Sequence, residues 1–194
     1  TQIDKNLIVQ VWGLDPINYE SQASELSKLG YLGIDINMGC PVDKIIKKGA
    51  CSALMNNRHL AKDIIQATQN GADDIPISVK TRIGFNEIDL TWIEFLLQQN
   101  LSALTVHGRT VAEQSNVDNH WEVYDEIVEM RNNIAPETKI IANGDVRSKS
   151  HGIKLAQKYN LGIIEDSAHA LGAEYRGKKI GFGRGARHIA VFSF

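Results

Sequence analysis

Cysteine is scarce in this chain: Cys40 and Cys51 are the two present, and they sit in one short stretch. Their spacing matches neither a zinc site nor a disulfide framework, which fits a reducing compartment. No apolar run is long enough to span a bilayer, and no signal-peptide pattern opens the chain, so cytoplasm is the default. Charge is close to balanced, at −2 over 194 residues, with 43% hydrophobic content. Those values describe an ordinary globular chain with material for one sizeable core. A GxGxxG after the first apolar strand is also missing, which weakens a dinucleotide-binding sheet. The chain opens at Thr1 and closes at Phe194 inside an apolar run, and both ends read as those of a fragment.

What is present is organised around residues 33–54, GIDINMGCPVDKIIKKGACSAL. A short apolar strand stops at Met38-Gly39-Cys40-Pro41, placing the Asn37 amide and the Cys40 thiol where strand gives way to turn. Gly39 allows the sharp turn, and Pro41 biases Cys40 away from helix. A flexible basic loop and then a helix are expected to follow.

Along the chain, strands are expected at 7–12, 33–37, 76–82, 103–106, 139–142 and 161–166. Helices are expected at 17–29, 54–70, 89–99 (capped by Asp89), 121–130 and 148–159. Strict alternation of apolar strands with helices of about 12 residues predicts repeated βαβ units and a parallel sheet. Polar residues recur where strands end: Asn37 and Cys40, Lys80 and Arg82, His107 and Arg109, Asn143 and Asp145. In an open doubly wound sheet such groups converge mainly at a switch point, whereas in a barrel every strand end rings one mouth. The recurrence therefore predicts a barrel. Lys80 and Arg82 add positive charge at that mouth, which suits an anionic ligand or cofactor. A Cys–His pair for acyl transfer is a possible reading of the same residues.

These segments resemble the flavin-binding barrel of the tRNA-dihydrouridine synthase family over residues 7–160. The resemblance is carried by Val9-Gln10-Val11 with Gly13 and Asp15-Pro16, and by Asp35-Ile36-Asn37-Met38-Gly39-Cys40-Pro41. It continues through Lys44, Gly49, Val79-Lys80-Thr81-Arg82-Ile83-Gly84, Val106-His107-Gly108-Arg109-Thr110, Trp121 and Ala142-Asn143-Gly144-Asp145-Val146. It implies an incomplete (β/α)8 barrel of the TIM type, lacking its first strand and its C-terminal helical domain. The implied reaction is FMN-dependent, NADPH-driven reduction of uridine to 5,6-dihydrouridine in tRNA. Hydride would reach C6 from flavin, and Cys40 would give a proton to C5 as general acid, which needs a neutral thiol. By the same resemblance Asn37, Arg82 and Arg109 would meet substrate or phosphate. Gln10, Lys80, His107, Asn143 and Gly144 would hold FMN. Lys44, Lys47 and Lys48 could contact tRNA phosphates, and no metal is implied.

The tail departs from that pattern. Residues 163–194 resemble the PLP-dependent sugar aminotransferases, in which a strand ends Glu-Asp-x-Ala-His and another ends Phe-Ser-Phe. That likeness would put Asp166 on the pyridinium nitrogen, His169 against the ring and Ser193 at the phosphate. The expected organisation is a synthase-like barrel, 1–160, joined to an aminotransferase-like strand-turn-strand tail, 161–194. Gly183-Arg184-Gly185 reads either as a displaced phosphate loop or as a chance turn. Rival readings are an aminotransferase fragment and a non-catalytic RNA-binding remnant.

Overall fold

The computed structural model describes residues 7–146, 149–159, 163–166, 174–175, 178–179 and 188–191. The chain divides into two compact units, Thr1–Asp145 and Val146–Phe194.

In the first unit, five strands form one parallel sheet: β1 (Ile8–Val11), β2 (Gly33–Met38), β3 (Ile77–Arg82), β4 (Ala103–His107) and β5 (Lys139–Asn143). Their order in the sheet is their order in the chain. Right-handed crossovers between sequential parallel neighbours put every connecting helix on the same side. This is an α/β arrangement consistent with part of a (β/α) barrel, and it has no switch point.

The helices are α1 (Pro16–Leu29), α2 (Asp43–Ile46), α3 (Arg58–Gly71), α4 (Leu90–Leu97) and α5 (Val123–Ile134). Side chains alternate along each strand. Ile34, Ile36 and Met38 of β2, Val79 and Thr81 of β3, and Leu104 and Val106 of β4 are buried. So are Ala23 of α1, Ile64 and Ile65 of α3, Trp92, Ile93 and Leu96 of α4, and Tyr124 and Ile127 of α5. The core is therefore the layer between sheet and helices, and the opposite sheet face is left to polar residues.

Local chemistry sets the element ends. Asp15 caps α1 by accepting from the Ile17 amide, and Gly30 closes it at φ 80°. The helix expected from residue 54 begins later. A 3-10 turn spans Cys51–Asn56, and Asn57 then caps α3 by accepting from the Leu60 amide. The loop expected to be irregular after Pro41 contains the single turn α2. The helix expected at 121–130 is displaced to Val123–Ile134. Asp89 caps α4 as expected.

In the second unit, α6 (Lys149–Tyr159) precedes β6 (Ile163–Asp166), which pairs in parallel with β9 (His188–Val191). β7 (Glu174–Tyr175) and β8 (Lys178–Lys179) form an antiparallel pair. His169, Ser193 and Gly183-Arg184-Gly185 lie outside the described residues. No helix among the described residues is long and apolar enough to cross a membrane.

Candidate active site

Strand register builds the site. Gln10 is opposite Asp35, and Asn37 is opposite Lys80, which is opposite Thr105. Arg82 is opposite His107, which is opposite Asn143. Because side chains alternate with period two, these residues share the face turned away from the helices. Asn37, Gly39, Cys40, Pro41, Lys80, Thr81, Arg82 and His107 line one cleft of about 230 Å³. A larger concavity, about 540 Å³, lies along α5 at Asp125, Glu126, Glu129, Met130 and Asn133. It is formed by one helix surface and includes none of the strand-end groups, which gather at the smaller cleft.

The Cys40 turn is pinned through its backbone. Asn37 Oδ1 accepts from the Gly39 and Cys40 amides at 3.1 and 3.0 Å. Ser52 Oγ donates to the Cys40 carbonyl at 2.7 Å, and Arg82 Nε donates to the Gly39 carbonyl at 3.0 Å. A Cβ on Gly39 would lie 3.2 Å from the Thr81 backbone, so glycine lets the turn lie against β3. Cys51, at φ 54°, is buried beside it. Burial first, and then the neighbouring Cys40, push the Cys51 thiol up to about 12. The half-buried Cys40 is thus the thiol presented to the cleft.

Arg82 and Arg109 are buried, at 6% and 3% exposure, and are held by the protein itself. Besides Gly39, Arg82 donates to the Thr110 and Gln114 carbonyls at 3.0 and 3.2 Å. Arg109 donates to the Val117 carbonyl at 2.8 Å and forms a two-pronged ion pair with Asp145. Their guanidiniums organise the loops after β4 and β5 and leave a positive field at the cleft.

That field acts on His107. Burial, then Arg82, Arg109 and Lys80, depress its pKa to about 4, against a smaller opposing effect of Asp145. The imidazole is neutral at pH 7. A histidine depressed in the folded state contributes stability above its ordinary pKa of 6.5, and this is lost as pH falls toward 4. His107→Gln is expected to flatten the dependence of urea-unfolding free energy on pH between about 6.5 and 4. An unaltered slope in the variant would show that other groups set it.

Gln10, on β1, donates to Asp35 and accepts from Asn37. The Asn143 carbonyl accepts from Tyr124 Oη at 3.0 Å and from the Gly108 amide at 3.2 Å. Gly144 stands at φ 136°, where a Cβ would fall 2.1 Å from Asn119 Oδ1. Asn119 is 6% exposed, and neither amide atom of its side chain has a protein partner. Asp35, Ser52, Ser78 and Asn119 were not among the residues the sequence nominated. For Asp35 the available signal was its position two residues before Asn37 on the same strand face.

A parallel sheet whose strand ends bring a thiol, a lysine, a neutral histidine and the Asn37 carboxamide to one cleft agrees with what residues 1–162 resemble. The chain belongs to the dihydrouridine synthase family, whose model matches residues 1–162. It is 40% identical over 160 residues to the "Probable tRNA-dihydrouridine synthase" of Staphylococcus aureus (strain COL), covering 81% of this chain and 48% of that protein. It is 37% identical over 163 residues to the "Probable tRNA-dihydrouridine synthase 2" of Bacillus subtilis (strain 168), covering 83% and 50%. The chain thus spans about half the length of the curated relatives it matches.

Proposed function

We propose that this chain carries the catalytic part of an enzyme that reduces uridine to 5,6-dihydrouridine in tRNA, using FMN and NAD(P)H, in the cytoplasm. The observation that carries the reading is the convergence of Asn37, Cys40, Lys80 and His107 on one cleft at the ends of three neighbouring parallel strands. Strands 1–5 are read as part of a (β/α)8 barrel, whose catalytic groups come from the ends of several strands.

The residues fit a flavin. Lys80 offers a cation to an anionic ring, His107 a neutral imidazole and Asn143 a carboxamide. Gly144 makes room for Asn119 to pack against the backbone, and the unpartnered Asn119 amide adds polar capacity there. The chemistry that FMN would supply if bound there is, in its reduced form, a hydride for C6 of the uracil ring. Cys40, held by backbone bonds that leave Sγ at the cleft, gives the proton that C5 requires. Asn37 uses Oδ1 on the turn and one Nδ2 proton on Gln10, leaving its second Nδ2 proton for a uracil carbonyl. Arg82 and Arg109 act through their field and by holding the loops that anionic groups approach. Exposed Lys44, Lys47 and Lys48, following the Cys40 turn, are proposed to meet tRNA phosphates.

Lys80→Met tests the cofactor assignment. Losing a charged hydrogen-bond donor is expected to weaken FMN binding about 10- to 100-fold, read as flavin retained after gel filtration. Unchanged flavin content would remove Lys80 from the flavin site.

The family match ends at residue 162. For the tail, the proposal is an aminotransferase-derived segment. It is supported by the sequence of residues 163–194 and by a strand ending at Asp166 that pairs in parallel with His188–Val191. A colourless protein that still binds tRNA would replace the enzymatic reading with that of an RNA-binding remnant.

A further inference from the structure

Asp35 takes no part in the chemistry proposed above, yet it is closely bonded. Its Oδ1 accepts from Ser78 Oγ at 2.6 Å and its Oδ2 from Gln10 Nε2 at 2.7 Å. Gln10 Oε1 then accepts from Asn37 Nδ2 at 3.0 Å, and Asn37 Oδ1 accepts from the Gly39 and Cys40 amides. A carboxylate can only accept, and a backbone N–H can only donate. Between those fixed ends, one orientation of each carboxamide satisfies the whole chain. The polarity of Gln10 and Asn37 is therefore dictated from Asp35 at one end and from the Cys40 turn at the other.

We infer that Asp35 is a positioning residue: acting through Gln10 and Asn37, its carboxylate sets both carboxamides and so holds the turn that presents Cys40. The consequence for catalysis rests on the reading of Cys40 as proton donor. The hydrogen-bonded relay itself does not.

An ionised carboxylate here is costly to the fold. Burial raises the Asp35 pKa, and the bonds from Gln10 and Ser78 and the nearby Lys80 offset this only in part. A carboxyl whose pKa is raised on folding takes stability from the fold when it ionises. A neutral amide in its place removes that cost but weakens the bonds from Gln10 and Ser78, two effects of opposite sign on the fold. It also loses the polarity, because a carboxamide at this position can offer Gln10 either oxygen or nitrogen, and Ser78 can donate or accept.

The test compares wild type, Asp35→Asn, Gln10→Ala and the double variant. It measures amide hydrogen exchange of Gly39 and Cys40 by NMR, together with the thermal midpoint. Asp35→Asn is expected to speed exchange at both amides about three- to tenfold, the effect of weakening one hydrogen bond, with amides elsewhere in the sheet unaffected. Gln10→Ala is expected to do the same at those amides, and the double variant to add nothing further, because both act along one line. Unchanged exchange in Asp35→Asn would overturn the proposal. So would effects that multiply in the double variant, or a lowered midpoint with exchange accelerated throughout the sheet. No flavin or RNA enters the measurement, so a wild-type protein without uridine-reducing activity would sink the proposed function and leave this result standing.

Discussion

Replacing Cys40 by alanine is expected to slow uridine reduction by about two to four orders of magnitude, the range over which a positioned general acid contributes. Flavin content should stay at the wild-type value. The separation is sharp because the bonds that hold the turn are made by the Cys40 backbone, while its thiol meets only the neighbouring Cys51 thiol among the side chains described. Its amide donates to Asn37, and its carbonyl accepts from Ser52. Alanine keeps both. Cys51 cannot stand in, since it is buried at 2% exposure behind the turn. The measurement is dihydrouridine released from digested tRNA after incubation with FMN, NADPH and the variant. A rate equal to wild type would remove Cys40 from the chemistry and leave the cleft as a binding site.

Trp92→Ala is expected to cost about 3–5 kcal/mol of unfolding free energy, as large aromatic truncations in closed cores do. Trp92 is 0% exposed, stacks on Phe95 with ring centroids 5.4 Å apart, and donates from Nε1 to Thr81 Oγ1 at 2.8 Å. Thr81 lies between Lys80 and Arg82 on β3, so the indole supports the strand that delivers both cations to the cleft. Trp92→Phe keeps the ring stacking and most of the volume and should cost less, about 1–3 kcal/mol, from the lost hydrogen bond and a smaller cavity. Urea denaturation of both variants separates packing from polar support. A loss below about 1 kcal/mol in the alanine variant would mean that the helix layer closes over the gap.

The strands were legible because burial imposes a period of two on Ile34, Ile36 and Met38 and on Leu104 and Val106, and because polar groups interrupt each strand at its end. The cleft residues followed from the same alternation, since Asn37, Lys80 and His107 occupy the complementary phase. Boundaries were less readable where short-range polar bonding competes with periodicity. Asn57 takes the cap that apolar spacing assigned to an earlier start, and the 3-10 turn before it looks helical by composition. Arginine roles were not readable at all. The sequence shows a cation at a strand end, but only the fold shows Arg82 and Arg109 committed to backbone carbonyls and to Asp145. The Asp35 relay was equally hidden, because it depends on which residues lie opposite one another across neighbouring strands. The tail was read from resemblance alone, and His169 and Ser193 fall outside the described residues.

The guanidinium of Arg82 spans two connections that the chain separates by tens of residues, grasping Gly39 on one side and Thr110 and Gln114 on the other. Barrel enzymes are commonly diversified by swapping one strand-to-helix connection at a time, on the premise that each is an independent cassette. Here the premise fails for this pair. Grafting a foreign segment over 110–114 would release a clasp on the thiol's own turn, so the two connections have to be exchanged together.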